Sequence, residues 1–165
     1  MCKTTTNRLE LRKFKSDDLE PFVSLMTNPM VTKYLGDGRI RSREEVIKVA
    51  PFFFEKPWQE GYGIFLVVER VSQHIIGYCG IRSINDGRVE LLYAYTPDAW
   101  GKGYGTEAAR AVLDYAKENF SLTDIIAIAY PENKGSISVI KKLHFDHVGQ
   151  EEHFGKRLEL FVLKI

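Results

Sequence analysis

The stretch WGKGYGTEAAR, Trp100 to Arg110, decides how the rest of the chain is read. Glycines stand at 101, 103 and 105, and the sequence then turns at once into a helical pattern. Ala108, Ala109, Val112, Leu113 and Ala116 recur on one face of that helix. A helix N-terminus carries N–H groups without intrahelical partners and a partial positive charge. Glycines just ahead of it remove the Cβ atoms that would keep an anion away. The stretch reads as an oxyanion or pyrophosphate cradle, with Lys102 adding a charge and Thr106 a hydroxyl. A tight connection that needs glycine only to turn is the alternative. The loop lacks the G-x-x-x-x-G-K-[ST] of a P-loop. Its match to G-x-G-x-x-G stops at Thr106, which fills the third glycine slot.

Working outward, three strand-like runs precede the loop: YGIFLVVER, IIGYCGIRSI and RVELLYAYT. Asn85-Asp86-Gly87 is a turn between the last two, so the three read as an antiparallel meander. Further upstream, Asn7–Phe14 alternates like a strand. Ser16-Asp17-Asp18 opens a helix whose apolar face is Leu19, Phe22, Val23 and Met26. Ser42–Gly61 is helical in pattern, with interruptions expected at Pro51 and Pro57. Downstream come a short apolar strand, Thr123–Tyr130, the turn PEN, and a helix in KGSISVIKKL. Two final strands lie in HFDHVGQEE and RLELFVLKI. The order predicts a single α+β (α/β) domain over residues 1–165, built on one mostly antiparallel sheet.

The 165 residues are long enough to bury one substantial core. With 23 basic and 22 acidic residues the net charge is +1, so no nucleic-acid partner is expected. No segment approaches the roughly 20 apolar residues that span a bilayer, and no membrane partner is expected. The start, MCKTTTNRLELRK, lacks the apolar run of a signal peptide. Cys2 and Cys79 match no metal or disulfide spacing and read as reduced thiols of a cytoplasmic protein. His74, His147 and His153 share no metal-ligand spacing, so no metal is expected.

Two blocks together, ELLYAYTPDAWGKGYGTEAARAVLDYA and PENKGSISVIKKLHF, resemble the GNAT superfamily of acyl-CoA N-acyltransferases. They are most similar to the branch that includes the ribosomal-protein N-terminal acetyltransferases. The resemblance runs from NRLELRKF nearly to the end of the chain. It implies a sheet of six to seven strands flanked by about four helices, with two central strands splayed apart. It also implies acetyl-CoA as cosubstrate and an amine acceptor, either a protein N-terminus or a small molecule. Monomer and homodimer are equally compatible.

The family signature [QR]-x-x-G-x-[GA] falls on Trp100, Gly103 and Gly105, with Trp100 in place of the usual Gln or Arg. The resemblance implies that backbone N–H groups from Gly101 through Lys102, Gly103, Tyr104 and Gly105 to Thr106 hold the pyrophosphate. Tyr93, Ala94 and Tyr95 would pair with the pantetheine arm, and the Tyr95 N–H would face the thioester oxygen. Asn133 matches a CoA-contacting asparagine. The same resemblance implies direct attack by the amine. Glu90 matches the family's acidic slot for a base or water holder; its alternative is a strand carboxylate paired with Arg88 or another cation. The helical tyrosine that many members use on the leaving thiolate is Ile140 here. Ser136 is the branch's substitute, with Ser138 as a spare, and helix capping is the alternative for Ser136 and Asn133.

Glu151 and Glu152 fall where some relatives place a carboxylate near the acceptor, and Glu152 is taken as a candidate. Trp58 and Tyr62 are expected to line the acceptor pocket, with Phe52 and Phe53 in the core. NPMVTKYLGDGRIRS forms the opposite wall in this reading, with Arg39, Arg41 and Arg43 as a solvated face. His144 replaces the glycine at the helix end and reads as structural. Two rival readings remain at this stage: a non-catalytic acyl-CoA-binding or regulatory domain on the same fold, and a protein that binds ATP or NAD instead.

Overall fold

The alternation at the N-terminus folds as two short strands, β1 (Lys3–Thr5) and β2 (Leu9–Arg12), in the computed structural model, which describes residues 3–165. Cys2 lies outside the described residues. Leu9 and Leu11 are fully buried and their alternating neighbours are not, as a strand's period of two requires. Ser16–Asp18 makes a tight turn into α1 (Leu19–Met26), which buries Phe22, Val23, Leu25 and Met26. Asn28 caps the short α2 (Pro29–Thr32) by accepting from the Met30 N–H at 3.0 Å.

The segment from Ser42 is two helices, α3 (Arg43–Phe54) and α4 (Lys56–Gln59). Ser42 and Glu45 close a capping box at its start. The expected interruption comes after Phe54 and not at Pro51, which stays inside α3. Pro57 stands in the first turn of α4, where its missing N–H breaks no helical bond. Phe54 is buried and Phe53 packs partly buried beside it. Phe52 corrects the core expectation, because it points to solvent at 63% exposure.

The meander is β3 (Gly63–Glu69), β4 (Ile75–Ser83) and β5 (Val89–Tyr95), antiparallel throughout. Gly87 closes the turn between the last two at φ +86°. There follow α5 (Tyr104–Asn119), β6 (Asp124–Ala129), α6 (Lys134–Lys142), β7 (Asp146–His153) and β8 (Lys156–Lys164). His144 leaves α6 in the left-handed region at φ +66°, where glycine stands in the family pattern.

One sheet runs through all of it, in the order β1-β2-β3-β4-β5-β6-β8-β7. Among the described residues its eight strands exceed the expected six to seven because the start of the chain adds β1. The helices also exceed the expected four, because α2 and α4 are separate short pieces. Every neighbouring pair is antiparallel except β5–β6, which is parallel. That pair keeps a single register point, Glu90 opposite Ile126, and the two strands then part.

Each face of the sheet has its own core. On one face α5 and α6 set Ala108, Ala109, Val112, Leu113 and Ile140 against Leu9, Phe65, Ile81 and Leu91. On the other, α1 and α3 set Phe22, Val46, Ala50 and Phe54 against Ile64, Leu66, Tyr78 and Ala94. Each such fully buried Leu, Val, Ile or Phe contributes roughly 1.5–3 kcal/mol. The sheet is therefore held from both sides, and the gap between β5 and β6 is an opening in an otherwise packed layer.

Candidate active site

The glycine loop sits at one end of that gap. Gly101 and Gly103 lie in the left-handed region, at φ +73° and +82°, a conformation that costs a residue with a Cβ about 1–2 kcal/mol. Gly103 is the N-cap of α5, and the first helical bond runs from the Glu107 N–H to the Gly103 carbonyl at 3.1 Å. The N–H groups of Tyr104, Gly105 and Thr106 precede that bond, so the helix itself leaves them unpartnered. Gly105 lies against the Tyr95 ring and Val139. This is the donor set a pyrophosphate needs, so the residues present fit the group the resemblance implies.

Arg8 braces the loop from β2's side, a part sequence reasoning missed. Its guanidinium donates to the Lys102 carbonyl at 2.8 Å and to Glu107 Oε2 at 2.7 Å, and stacks 4.4 Å above the Tyr104 ring. Glu107 also accepts from the Thr6 hydroxyl at 2.5 Å and the Arg8 N–H at 2.9 Å. Burial pushes the Glu107 carboxyl upward, but these donors outweigh it and hold it below the usual range. With its carbonyl turned toward Arg8, Lys102 leaves the mouth of the loop to N–H groups. Nothing in an alternating strand marks Arg8 for this, and Glu107 reads only as an acid in a helix's first turn.

Trp100 does not merely replace a Gln or Arg. Its indole N–H donates to the Tyr95 carbonyl at 2.9 Å, folding the start of the loop back onto the end of β5. The Thr96 N–H bonds the Ile76 carbonyl at 2.8 Å. Backbone groups alternate between a strand's two edges, so the Tyr95 N–H points the other way, toward the gap. Tyr93 and Tyr95 turn their rings to the α5 side, 5.9 Å apart. Ala94 faces the α1–α3 core. The Tyr95 hydroxyl is buried beside the Cys79 thiol without a well-directed hydrogen bond, and burial raises both groups, the thiol to about 12.

Glu90 lies on the opposite face of β5, at the point where β5 and β6 part. It is buried, 5% exposed, but not among apolar residues alone. Its cross-strand neighbour Arg82 donates to Oε2 at 3.2 Å, so Arg82 takes the place expected for Arg88. Arg88 instead pairs with Asp86 at 2.6 Å and with Glu151 at 2.5 Å. Glu151 thus ties the β7–β8 hairpin to the start of β5, on the side of the sheet that Glu90 faces. The guanidinium of Arg88 holds the Glu151 carboxyl below the usual range.

Glu152 corrects the expectation placed on it. Strand alternation turns it away from Glu151 and His153, and it is exposed. Trp58 and Tyr62 are also corrected. Trp58 packs edge-on against Phe65 and Tyr115, and Tyr62 against Phe120, all on the α5 side and away from Glu90. They close the far end of that core. The loop after α2 does reach the gap's end, where the Tyr130 hydroxyl donates to the Gly36 carbonyl at 2.6 Å.

Across the gap, Asn133 caps α6 by accepting from the Ser136 N–H at 3.2 Å, the capping role weighed for it. Ser136 faces β5, with its Oγ 2.9 Å from the Tyr93 hydroxyl. Ser138 is exposed, and Ile140 fills the slot of the absent tyrosine, fully buried. Glu90 and Tyr95 on β5, Ser136 on α6 and the N-terminus of α5 thus belong to three elements around the parting of β5 and β6.

Known proteins share this fold. The family model described as an acetyltransferase (GNAT) domain matches residues 8–146. The uncharacterized N-acetyltransferase p20 of Bacillus licheniformis is 26% identical over 166 residues, covering 97% of this chain and 93% of that protein. The solved structure of RimL, a ribosomal L7/L12 alpha-N-protein acetyltransferase in complex with coenzyme A, superposes with a TM-score of 0.82 at 17% identity, covering 98% of this chain and 97% of that one. Spermidine N-acetyltransferase from Vibrio cholerae, solved with CoA and spermine, gives a TM-score of 0.79 at 20% identity, with 96% of each chain covered. The chain belongs to the GNAT acetyltransferase family and is an acyl-CoA-dependent acetyltransferase.

Proposed function

We propose that the protein transfers an acetyl group from acetyl-CoA to a primary amine, on a protein N-terminus or a small molecule, by direct attack in a ternary complex. The observation that carries the reading is the parting of β5 and β6 beyond Glu90 and Ile126, with the glycine-capped start of α5 at the mouth of the opening. Acetyl-CoA, when bound, supplies the activated acyl thioester. The N–H groups from Gly101 to Thr106 hold its pyrophosphate, and Lys102 adds a nearby charge. Tyr93, Ala94 and Tyr95 offer a strand edge to the pantetheine arm, and Asn133 borders it from α6. The Tyr95 N–H serves the thioester oxygen, where one such donor is worth about 3–4 kcal/mol.

Glu90 takes the proton from the acceptor's ammonium, directly or through a water. An α-amino group near pKa 8 needs only a modest base. Ser136 serves the departing sulfur. The acceptor enters from the Glu90 face, between the loop after α2 and the β7–β8 hairpin. No helix of the described residues is long and apolar enough to cross a membrane. The reading sets the reaction in the cytoplasm, where a free Cys79 thiol persists.

The Arg82–Glu90 pair also suits a carboxylate with a purely structural task, which favours the non-catalytic acyl-CoA-binding domain as the second reading. Thermal-shift titration with acetyl-CoA, CoA, ATP and NAD tests the site. A ligand at about 100 times its Kd adds roughly 2.7 kcal/mol of stability. Stabilisation by the two CoA species alone is expected, and stabilisation by ATP or NAD alone overturns the reading. Amine-dependent release of free thiol from acetyl-CoA then separates catalysis from binding without turnover.

A further inference from the structure

The α5 side of the gap holds a pair of hydroxyls that the chemistry above leaves half explained. Tyr93 on β5 and Ser136 in the first turn of α6 meet with Oη and Oγ 2.9 Å apart. The Tyr93 hydroxyl is also 3.3 Å from the Ser136 carbonyl oxygen, which can only accept. The Ser136 N–H is already committed to Asn133 Oδ1. One serine is thus gripped on its side chain, its carbonyl and its amide. The two elements that carry the pair flank the opening, because β5 and β6 pair only at Glu90 and Ile126.

Either oxygen can donate in the hydroxyl–hydroxyl bond. Burial raises the Tyr93 phenol above its ordinary value, so it keeps its proton and is available as a donor. Both oxygens in reach of it belong to Ser136. With the phenol's one hydrogen on Oγ, the serine's own hydrogen points elsewhere; with it on the carbonyl, the serine hydrogen returns to the phenol. Donors in a chain also strengthen one another, so a serine that accepts from a phenol is the better donor for it. The α6 position that would carry a phenol is Ile140, and the phenol comes from the strand instead.

We infer that Tyr93 is a positioning residue: its hydroxyl donates to Ser136 Oγ and turns the Ser136 O–H toward the sulfur that leaves the acyl group. This rests on the reading of Ser136 as the group serving that sulfur. As the carbon–sulfur bond breaks, its electron pair goes to sulfur, which accepts the hydrogen bond from Ser136. The proton lost by the amine balances the thiol finally released, and neither Ser136 nor Tyr93 gives up a proton of its own. A tyrosine that only filled space would do none of this.

The test needs no acceptor. It reads the pKa of the thiol of bound CoA, from thiolate absorbance in the ultraviolet, in the wild type and in Tyr93→Phe, Ser136→Ala, Ser136→Thr and the Tyr93→Phe/Ser136→Ala double variant. A hydrogen bond to a charged group is expected to hold the bound thiol about one unit, or tenfold, below its value in Ser136→Ala. Tyr93→Phe is expected to raise it at least threefold. The double variant should add nothing to Ser136→Ala, and Ser136→Thr should keep the wild-type value.

If Ser136→Ala shifts the thiol and Tyr93→Phe does not, the positioning role is overturned while Ser136 keeps its task. If neither variant shifts it, the reading of Ser136 falls and this inference falls with it. If Tyr93→Phe alone shifts it, the phenol acts on sulfur directly and the inference is wrong. Should Tyr93→Phe fail to fold, 3-fluorotyrosine at position 93 supplies the second arm. It is a stronger donor of the same shape and must lower the bound thiol's pKa; no change, or a rise, overturns the inference.

Discussion

The indole Nε1–H of Trp100 donates to the Tyr95 carbonyl at 2.9 Å, although the Trp100 side chain is 47% exposed. The bond ties the first residue of the glycine loop to the last residue of β5. It fixes the distance between the N–H groups at the start of α5 and the end of that strand. A Gln or Arg in this slot has a different reach, so Trp100 sets the geometry of this loop in its own way. Trp100→Phe keeps the ring and removes the donor. A hydrogen bond is worth about 1 kcal/mol, so the Kd for CoA is expected to rise roughly fivefold, read by calorimetry. An unchanged Kd would mean the loop holds its position without Trp100.

Gly103 is the more demanding position. Its φ of +82° puts any side chain in a strained backbone, and a Cβ there would stand 3.3 Å from Arg8 Nη2. Arg8 is long and can shift, so the backbone strain decides the outcome. Gly103→Ala is expected to cost about 1–2 kcal/mol, a drop in Tm of roughly 2–6 °C. If the loop relieves that strain by turning the α5 N–H groups away from the gap, CoA binding weakens by at least tenfold. A variant with lower Tm and native CoA affinity would show that the glycine serves the turn alone.

Much of this was legible before any coordinates. The α5 face and the meander follow from periodicity and turn residues, and the αL helix end at His144 from the glycine that the resemblance places there. What periodicity could not supply were contacts between residues distant in sequence. Arg8 bracing Lys102 and Glu107, Tyr93 meeting Ser136 and Arg82 meeting Glu90 all depend on which elements become neighbours. Trp58 and Tyr62 were misplaced for the same reason. An aromatic run announces burial but not which of two cores receives it: Trp58 on α4 turns toward Tyr115, and Tyr62 beyond it toward Phe120. Glu151 and Glu152 could not be told apart in the same way, because a strand sends one to each face and only register decides which.

Glu90→Gln separates a catalytic carboxylate from a structural one. Gln keeps an oxygen that can accept from Arg82, so Tm is expected to fall by no more than a few degrees and CoA affinity to hold. As a general base Glu90 would contribute about 10²–10⁴-fold, so kcat should fall at least a hundredfold with any accepted amine. Retained turnover in a folded variant would assign Glu90 to structure and leave a water relay or the amine's own basicity to do the work.

The Arg88–Glu151 pair should control the β7–β8 hairpin. It joins the tip side of that hairpin to the start of β5, and His153 adds a contact to Glu151 at 2.9 Å. Glu151 has its carboxyl lowered chiefly by Arg88, so the ion pair contributes fully above the unfolded carboxylate value near 4.3 and is lost only as pH falls through the lower folded value. At neutral pH the clasp is therefore closed and insensitive to small pH changes. Glu151→Gln removes the charge and leaves the shape. Hydrogen exchange over residues 150–156 should then quicken several-fold at pH 7 while exchange in α5 stays as in the wild type. Because the hairpin borders the acceptor side, KM for the amine should change and KM for acetyl-CoA should not. Equal exchange in wild type and variant would show that the hairpin's own pairing holds it over the site, with the ion pair as a bystander.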